Sequence, residues 1–184
     1  MDRNFILRRA VHVSTPLFLV YYFLPSPLWP GGPPKEVGLL MFLVLVLLFE
    51  MLRLALGFKV PGMRQYELNQ VSAGAWAGIA LTITFLFFPL SLAAPALVGM
   101  ALIDPLISTV RRTRYYPWVP LVAYFVLALA TLSLFYPLSL RVVVAGGVAS
   151  VIAIAAEGIK TSYVDDDFLM IVVPLIGLAL VMSF

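Results

Sequence analysis

Charge is scarce in this 184-residue chain: Asp, Glu, Lys and Arg make up 11% of it, and cysteine is absent. A soluble domain is roughly a quarter charged, so too few polar side chains exist here to clothe a globule in water. The lack of cysteine excludes thiol chemistry and disulfides without identifying a compartment. The phosphate and metal signatures Walker A, GxGxxG and HExxH are also missing. No period-two alternation is visible, which argues against a membrane β-barrel. The net charge of +3 and pI near 9.3 do not point to nucleic acid, because the bases sit at the ends of apolar stretches and not in a patch interleaved with aromatics. No small-residue cleavage site precedes the Pro-rich stretch after Leu24, so no cleavable signal peptide is expected.

What is abundant is apolar: 62% of the residues are hydrophobic and the mean hydropathy is +1.05. The bilayer must act as solvent for most of the chain. Seven apolar stretches are marked off by their breakers, at residues 11–24, 37–56, 68–88, 92–110, 119–136, 140–156 and 168–184. A spanning helix needs about 20 mostly apolar residues. The expectation is therefore an all-α, polytopic integral membrane protein of about seven transmembrane helices, forming a single domain over residues 1–184. With the N-terminus inside, ten of the twelve Lys and Arg residues fall on the inner face and only Lys35 and Arg141 outside. The positive-inside rule thus predicts a multi-pass protein of the cell membrane with a cytoplasmic N-terminus. Eight of the nine acids fall on that same inner face, with Glu36 the exception. The rule does not account for acids, and an active site on the cytoplasmic face does.

Glu50 and Arg53 lie three residues apart at the inner end of the second stretch, and Arg64 and Glu67 repeat that spacing before the third. Self-paired, snorkelling surface couples are the plainer reading of both. Asp104 is embedded in an apolar helix, where a charge is costly unless it faces a partner or a polar cavity. Its structural alternative is a pair with Arg111; Ser108 shares its face one turn on. His12, the one histidine, follows Arg8 by one turn and reads either as a helix-packing residue or as a base. Arg111, Arg112 and Arg114 serve topology or clamp phosphate, for which the planar guanidinium is suited. Glu157 closes one apolar run, and Asp165, Asp166 and Asp167 open the next. A helix dipole favours acids there, but three in a row exceed what a cap needs. Such oxygen-rich clusters suit Mg²⁺, which takes one or two carboxylates and shares substrate phosphates.

The order of these segments resembles the CTP-dependent polyprenol kinases, the dolichol and phytol kinase group of membrane enzymes. RRAVHV is similar to that family's R-K-x-x-H opening, FEMLRL to its E-x-x-R, RQYELN to its R-x-x-E and ALIDPLIS to its D-P-x-A segment. EGIKTSYVDDDFLMIVVP resembles its closing glutamate, D-D-N and apolar run to proline. Two departures stand out. RRTRYYPWVP occupies the place of a Lys-Ser/Thr-x-x-Gly segment, and Asp167 replaces the asparagine of D-D-N. Either the arginine cluster contacts nucleotide in place of the lost segment, or activity has been lost with it.

The resemblance implies a kinase that moves a phosphoryl group from CTP to an isoprenoid or other lipid alcohol at the cytoplasmic interface, among membrane lipids. Asp104, Asp165, Asp166 and Asp167 would hold Mg²⁺, while Arg53, Arg64, Arg111, Arg112, Arg114 and Lys160 would hold phosphates. Glu50, Glu67 or Glu157 would orient the bases or accept the hydroxyl proton, and His12 could do so instead. The alternatives are cytidylyl transfer to a lipid phosphate, or a transporter or non-catalytic membrane protein. A transporter should carry its ionisable groups near the bilayer midplane, whereas here they crowd one interface.

Overall fold

The computed structural model describes residues 3–159 and 163–183, and the side chains of all of these except residues 3–8 and 66. The described residues form seven α-helices and no strands. They are α1 (Arg3–Ser14), α2 (Lys35–Leu56), α3 (Ala73–Phe87), α4 (Leu90–Val110), α5 (Trp118–Leu132), α6 (Leu140–Gly158) and α7 (Asp166–Ser183). Two 3₁₀ segments, Thr15–Phe23 and Gln65–Asn69, precede the linkers to α2 and α3.

Only α2, α4, α6 and α7 are long and apolar enough to cross a membrane, which corrects the count of seven such stretches. The shortfall traces to breakers inside the apolar runs. Pro16 opens a 3₁₀ segment, so the first stretch divides into a polar α-helix and a tighter continuation. The third stretch loses its start because residues 65–69 take 3₁₀ form and Ser72 caps α3, its hydroxyl accepting the Ala75 N–H at 3.2 Å. The fifth begins only after Pro117 and ends at Leu132, so α3 and α5 have 15 residues each.

The helices alternate in direction. α3 starts beside the end of α2, where Ser72 bonds Glu50, and turns at Pro89 into α4, which returns to the first level at Asp104. Helices α6 and α7 share the most extensive interface, and α4 packs on both α5 and α7. The centre is apolar: Leu97, Met100, Ile103, Leu132, Met170 and Leu175 have almost no exposure. By contrast, 11% of the apolar window of α2 is buried against 61% of that of α4, so α2 lies at the periphery. Side chains such as Leu45, Leu48 and Met51 face outward, an arrangement suited to an apolar solvent. α2 ends at Gly57, whose φ of +66° provides the left-handed cap.

Close approach of α4 and α5 depends on Gly99. A Cβ there would lie 2.5 Å from the Tyr124 ring, which is fully buried. Gly99→Ala is expected to destabilise the fold by about 1 to 3 kcal/mol, seen as a lower melting temperature in detergent. Tyr124→Leu in the same chain should restore part of the loss.

Candidate active site at the charged end of the bundle

Ionisable side chains from five helices and the 65–69 region gather at one end. The best-ordered group is a clamp between α2 and α3. Glu50 Oε2 and Oε1 accept from Arg53 Nε (3.0 Å) and Nη2 (2.7 Å), and the same two oxygens accept from the Ser72 hydroxyl (2.9 Å) and backbone N–H (2.6 Å). Arg53 Nη2 also donates to the Gln70 carbonyl at 2.7 Å. Arg53 is 1% exposed and Glu50 5%, so this pair is a buried interhelical fastening and not the snorkelling couple its spacing suggested. Glu67 likewise turns inward and accepts the Arg64 backbone N–H at 3.2 Å.

The second group is built on α4. Pro105 lacks the N–H that would bond within the helix. Its own carbonyl accepts the hydroxyls of Ser108 (2.8 Å) and Thr109 (3.0 Å). Those two hydroxyl oxygens in turn accept from Arg9 Nη2 at 3.0 and 3.2 Å, which holds α1 against α4. Arg111 pairs with Glu157 at the end of α6 and not with Asp104, so the Asp104–Arg111 alternative is not what the fold contains. Asp104 faces His12 instead: Nε2 of His12 lies 3.9 Å from Asp104 Oδ2 and 3.5 Å from Asp167 Oδ2.

The triplet at the start of α7 divides by direction. Asp165 precedes the helix and accepts the Asp167 N–H at 3.1 Å. Burial, then the neighbouring Asp166 charge, pushes the Asp165 carboxyl above its ordinary range. Phe168 packs edge-on to Trp76 of α3, 5.1 Å between centroids, and so anchors this end of α7.

Two cavities meet here. One, of about 520 Å³, is polar and is lined by Arg9, Arg64, Asp104, Ser108, Arg111, Arg112, Glu157 and Asp166. The other, of about 360 Å³, is mostly apolar; Val11, Val46, Phe49, Met63, Ala77 and Met100 line it with Glu50, Arg53, Glu67 and Asp167 at its rim. His12 lines both. Glu50 and Asp104 do not share a cavity: Asp104, Glu157 and Asp166 line the polar space, while Glu50 and Arg53 border the apolar one. Arg114 points elsewhere, over the Tyr115 ring at 5.2 Å, and does not line the polar cavity. Lys160 lies outside the described residues. Arg9, which stands at the lysine place of the R-K-x-x-H opening, lines the polar cavity; its position three residues before His12, on the same helix face, was the available signal.

His12, Asp104 and Asp167 present donor atoms that all lie within 4.8 Å of one another, and Asp165, Asp166 and Asp167 do the same. The carboxylates meet the demand of Mg²⁺ for oxygen ligands. The arginines could neutralise a polyphosphate beside them. Comparison with protein-family models, curated proteins and solved structures finds no match for this chain.

The clamp generates a stability prediction. Glu50→Gln leaves the Arg53 charge buried without its counter-charge, and loss of one partner from a buried pair costs of the order of 3 kcal/mol. A clear fall in thermal stability in detergent is expected. The double change Glu50→Met with Arg53→Met should recover much of it, because the lone buried charge is then gone.

Proposed function

We propose that this chain is a membrane-bound lipid kinase, transferring the γ-phosphoryl group of CTP to an isoprenoid or related lipid alcohol. The observation that carries this reading is the junction of an apolar cavity with an arginine-lined one at His12, Asp104 and Asp167. An amphiphile reacting with a polyphosphate needs those two environments side by side. The choice of CTP rests on the resemblance in the motifs.

In this scheme the hydrocarbon tail lies against Val46, Phe49 and Met100, and the hydroxyl reaches the junction. Arg9, Arg64, Arg111 and Arg112 hold the phosphates, with Glu157 orienting Arg111 through their ion pair. The hydroxyl oxygen forms a bond to the γ-phosphorus as the bond from that phosphorus to the β–γ bridging oxygen breaks. The electron pair leaves with CDP, and the hydroxyl proton passes to the carboxylate of Glu67, an acid that lines the apolar cavity and is not among the cation's ligands. A divalent cation would be held by Asp104 and Asp167 and would offset the charge that develops on the phosphate oxygens, with Mg²⁺, by the resemblance, accompanying the nucleotide. The side chains supply position and charge compensation, which is most of what phosphoryl transfer requires.

The ten-to-two distribution of bases supports a cytoplasmic N-terminus and a site on the cytoplasmic face of the cell membrane.

Purified protein incubated with γ-labelled CTP, Mg²⁺ and a panel of lipid alcohols should place label in a lipid phosphate. Asp104→Asn should lower that transfer by about 100-fold or more with a small change in melting temperature, because Asn keeps the size of the side chain and its hydrogen-bonding oxygen. Release of pyrophosphate with a CDP-lipid would redirect the reading to cytidylyl transfer. Full activity in the variant would remove Asp104 from the mechanism.

A further inference from the structure

The three side chains at the junction come from three separate helices: His12 from α1, Asp104 from α4 and Asp167 from α7. His12 and Asp167 are buried, at 9% and 3% exposure, and the Asp104 side chain retains 20%. Separations of 3.5 and 3.9 Å between the imidazole Nε2 and the two carboxylate oxygens are long for hydrogen bonds. The 3.5 Å separation is what a shared cation imposes, since donors about 2.1 Å from one ion stand roughly 3.4 Å apart at tetrahedral angles, and the 3.9 Å separation would close by a few tenths of an ångström on binding. Two carboxylates brought together in a low-dielectric setting repel each other, and a doubly charged ion between them reverses that term. Coordination would leave the far side of the ion open towards the polar cavity, which Arg9 and Arg64 line.

We infer that His12, Asp104 and Asp167 form a mixed nitrogen–oxygen site for one borderline divalent cation of the Mn²⁺ to Zn²⁺ class. The imidazole decides the class. Mg²⁺ is served by oxygen donors and usually keeps several waters, whereas imidazole suits the later divalent ions and carboxylate tolerates them. The Asp165–Asp166–Asp167 group shares Asp167 but is all oxygen and confined to the start of one helix; Asp165 and Asp166 have no part in this assignment. The inference deepens the proposed function by naming the ion at its junction, but the ion's binding does not depend on which nucleotide or lipid is used.

His12 is the sole histidine of the chain, which allows a test that leaves the protein unaltered. The protein, carrying an affinity tag without histidine, is stripped with chelator in detergent and given one equivalent of Mn²⁺ without nucleotide or lipid. Pulsed electron paramagnetic resonance should show modulation from a coordinated ¹⁴N. Growth on ¹⁵N-histidine alone should convert that modulation to the ¹⁵N pattern. His12→Gln should abolish it and weaken Mn²⁺ binding by more than the ~10-fold that even an outer-shell change can produce. Excess Mg²⁺ should displace Mn²⁺ poorly from wild type. Bound Mn²⁺ with no nitrogen coupling would overturn the assignment and move the ion to carboxylates alone; failure to bind Mn²⁺ would overturn it as well. Phosphoryl transfer that proceeds without nitrogen coupling removes only this site. Nitrogen coupling in a protein that transfers no phosphoryl group removes only the kinase reading.

Discussion

A carboxylate withdrawn from water has to be met by a cation or by several hydrogen-bond donors, and the charged end of this bundle is arranged around that requirement. Glu50 is met by Arg53 and by both donors of Ser72, so the end of α2 is fastened to the start of α3. Glu157 is met by Arg111, joining α6 to α4. Asp104 and Asp167 converge on His12 and draw α1 towards α4 and α7. Interior contacts in an apolar bundle are chemically alike and specify register weakly. Ionic contacts between different helices specify it much more narrowly, because a slip of one turn would leave a charge uncompensated.

The same contacts divide the charged end into two kinds of space. The Glu50 clamp borders the apolar cavity and fastens α2 to α3 beside it. The arginines of α1, α4 and the 3₁₀ approach to α3 border the polar cavity. Its wall on α4 owes its shape to Pro105, whose carbonyl turns Ser108 and Thr109 back along the helix and presents their oxygens to Arg9. A proline that costs the helix one internal bond thus helps to set a guanidinium in the cavity. Where the two spaces touch, His12 belongs to both, and chemistry joining an apolar molecule to a phosphate would have to occur there.

Much of this was legible in the residue order. Composition alone required helices in an apolar solvent, since lipid supplies no partner for an exposed peptide group. The one-sided acids marked the end of the molecule where a site would form. Helix limits were less legible: Pro16 and the residues ahead of Ser72 shortened runs that hydropathy had joined, so four helices instead of seven have spanning length and apolarity. Hydropathy averages over a window and does not register the backbone geometry that one proline or one capping serine imposes.

The sequence by itself determined the apolar character of the chain, the helical class and the identity of the groups available for chemistry, because these follow from counts and from spacing along a single helix. Which groups meet was decided by the tertiary structure. The three-residue spacing of Glu50 and Arg53 is the same whether the pair sits in water or in a buried clamp, and only the arrival of Ser72 distinguishes the two. Asp104 could have paired with Arg111 on its own helix; packing of α6 gave Arg111 to Glu157 and left Asp104 facing His12. Partners on one helix are set by its 3.6-residue repeat. Partners on different helices are set by how apolar surfaces pack, a property of the whole bundle that no local spacing encodes.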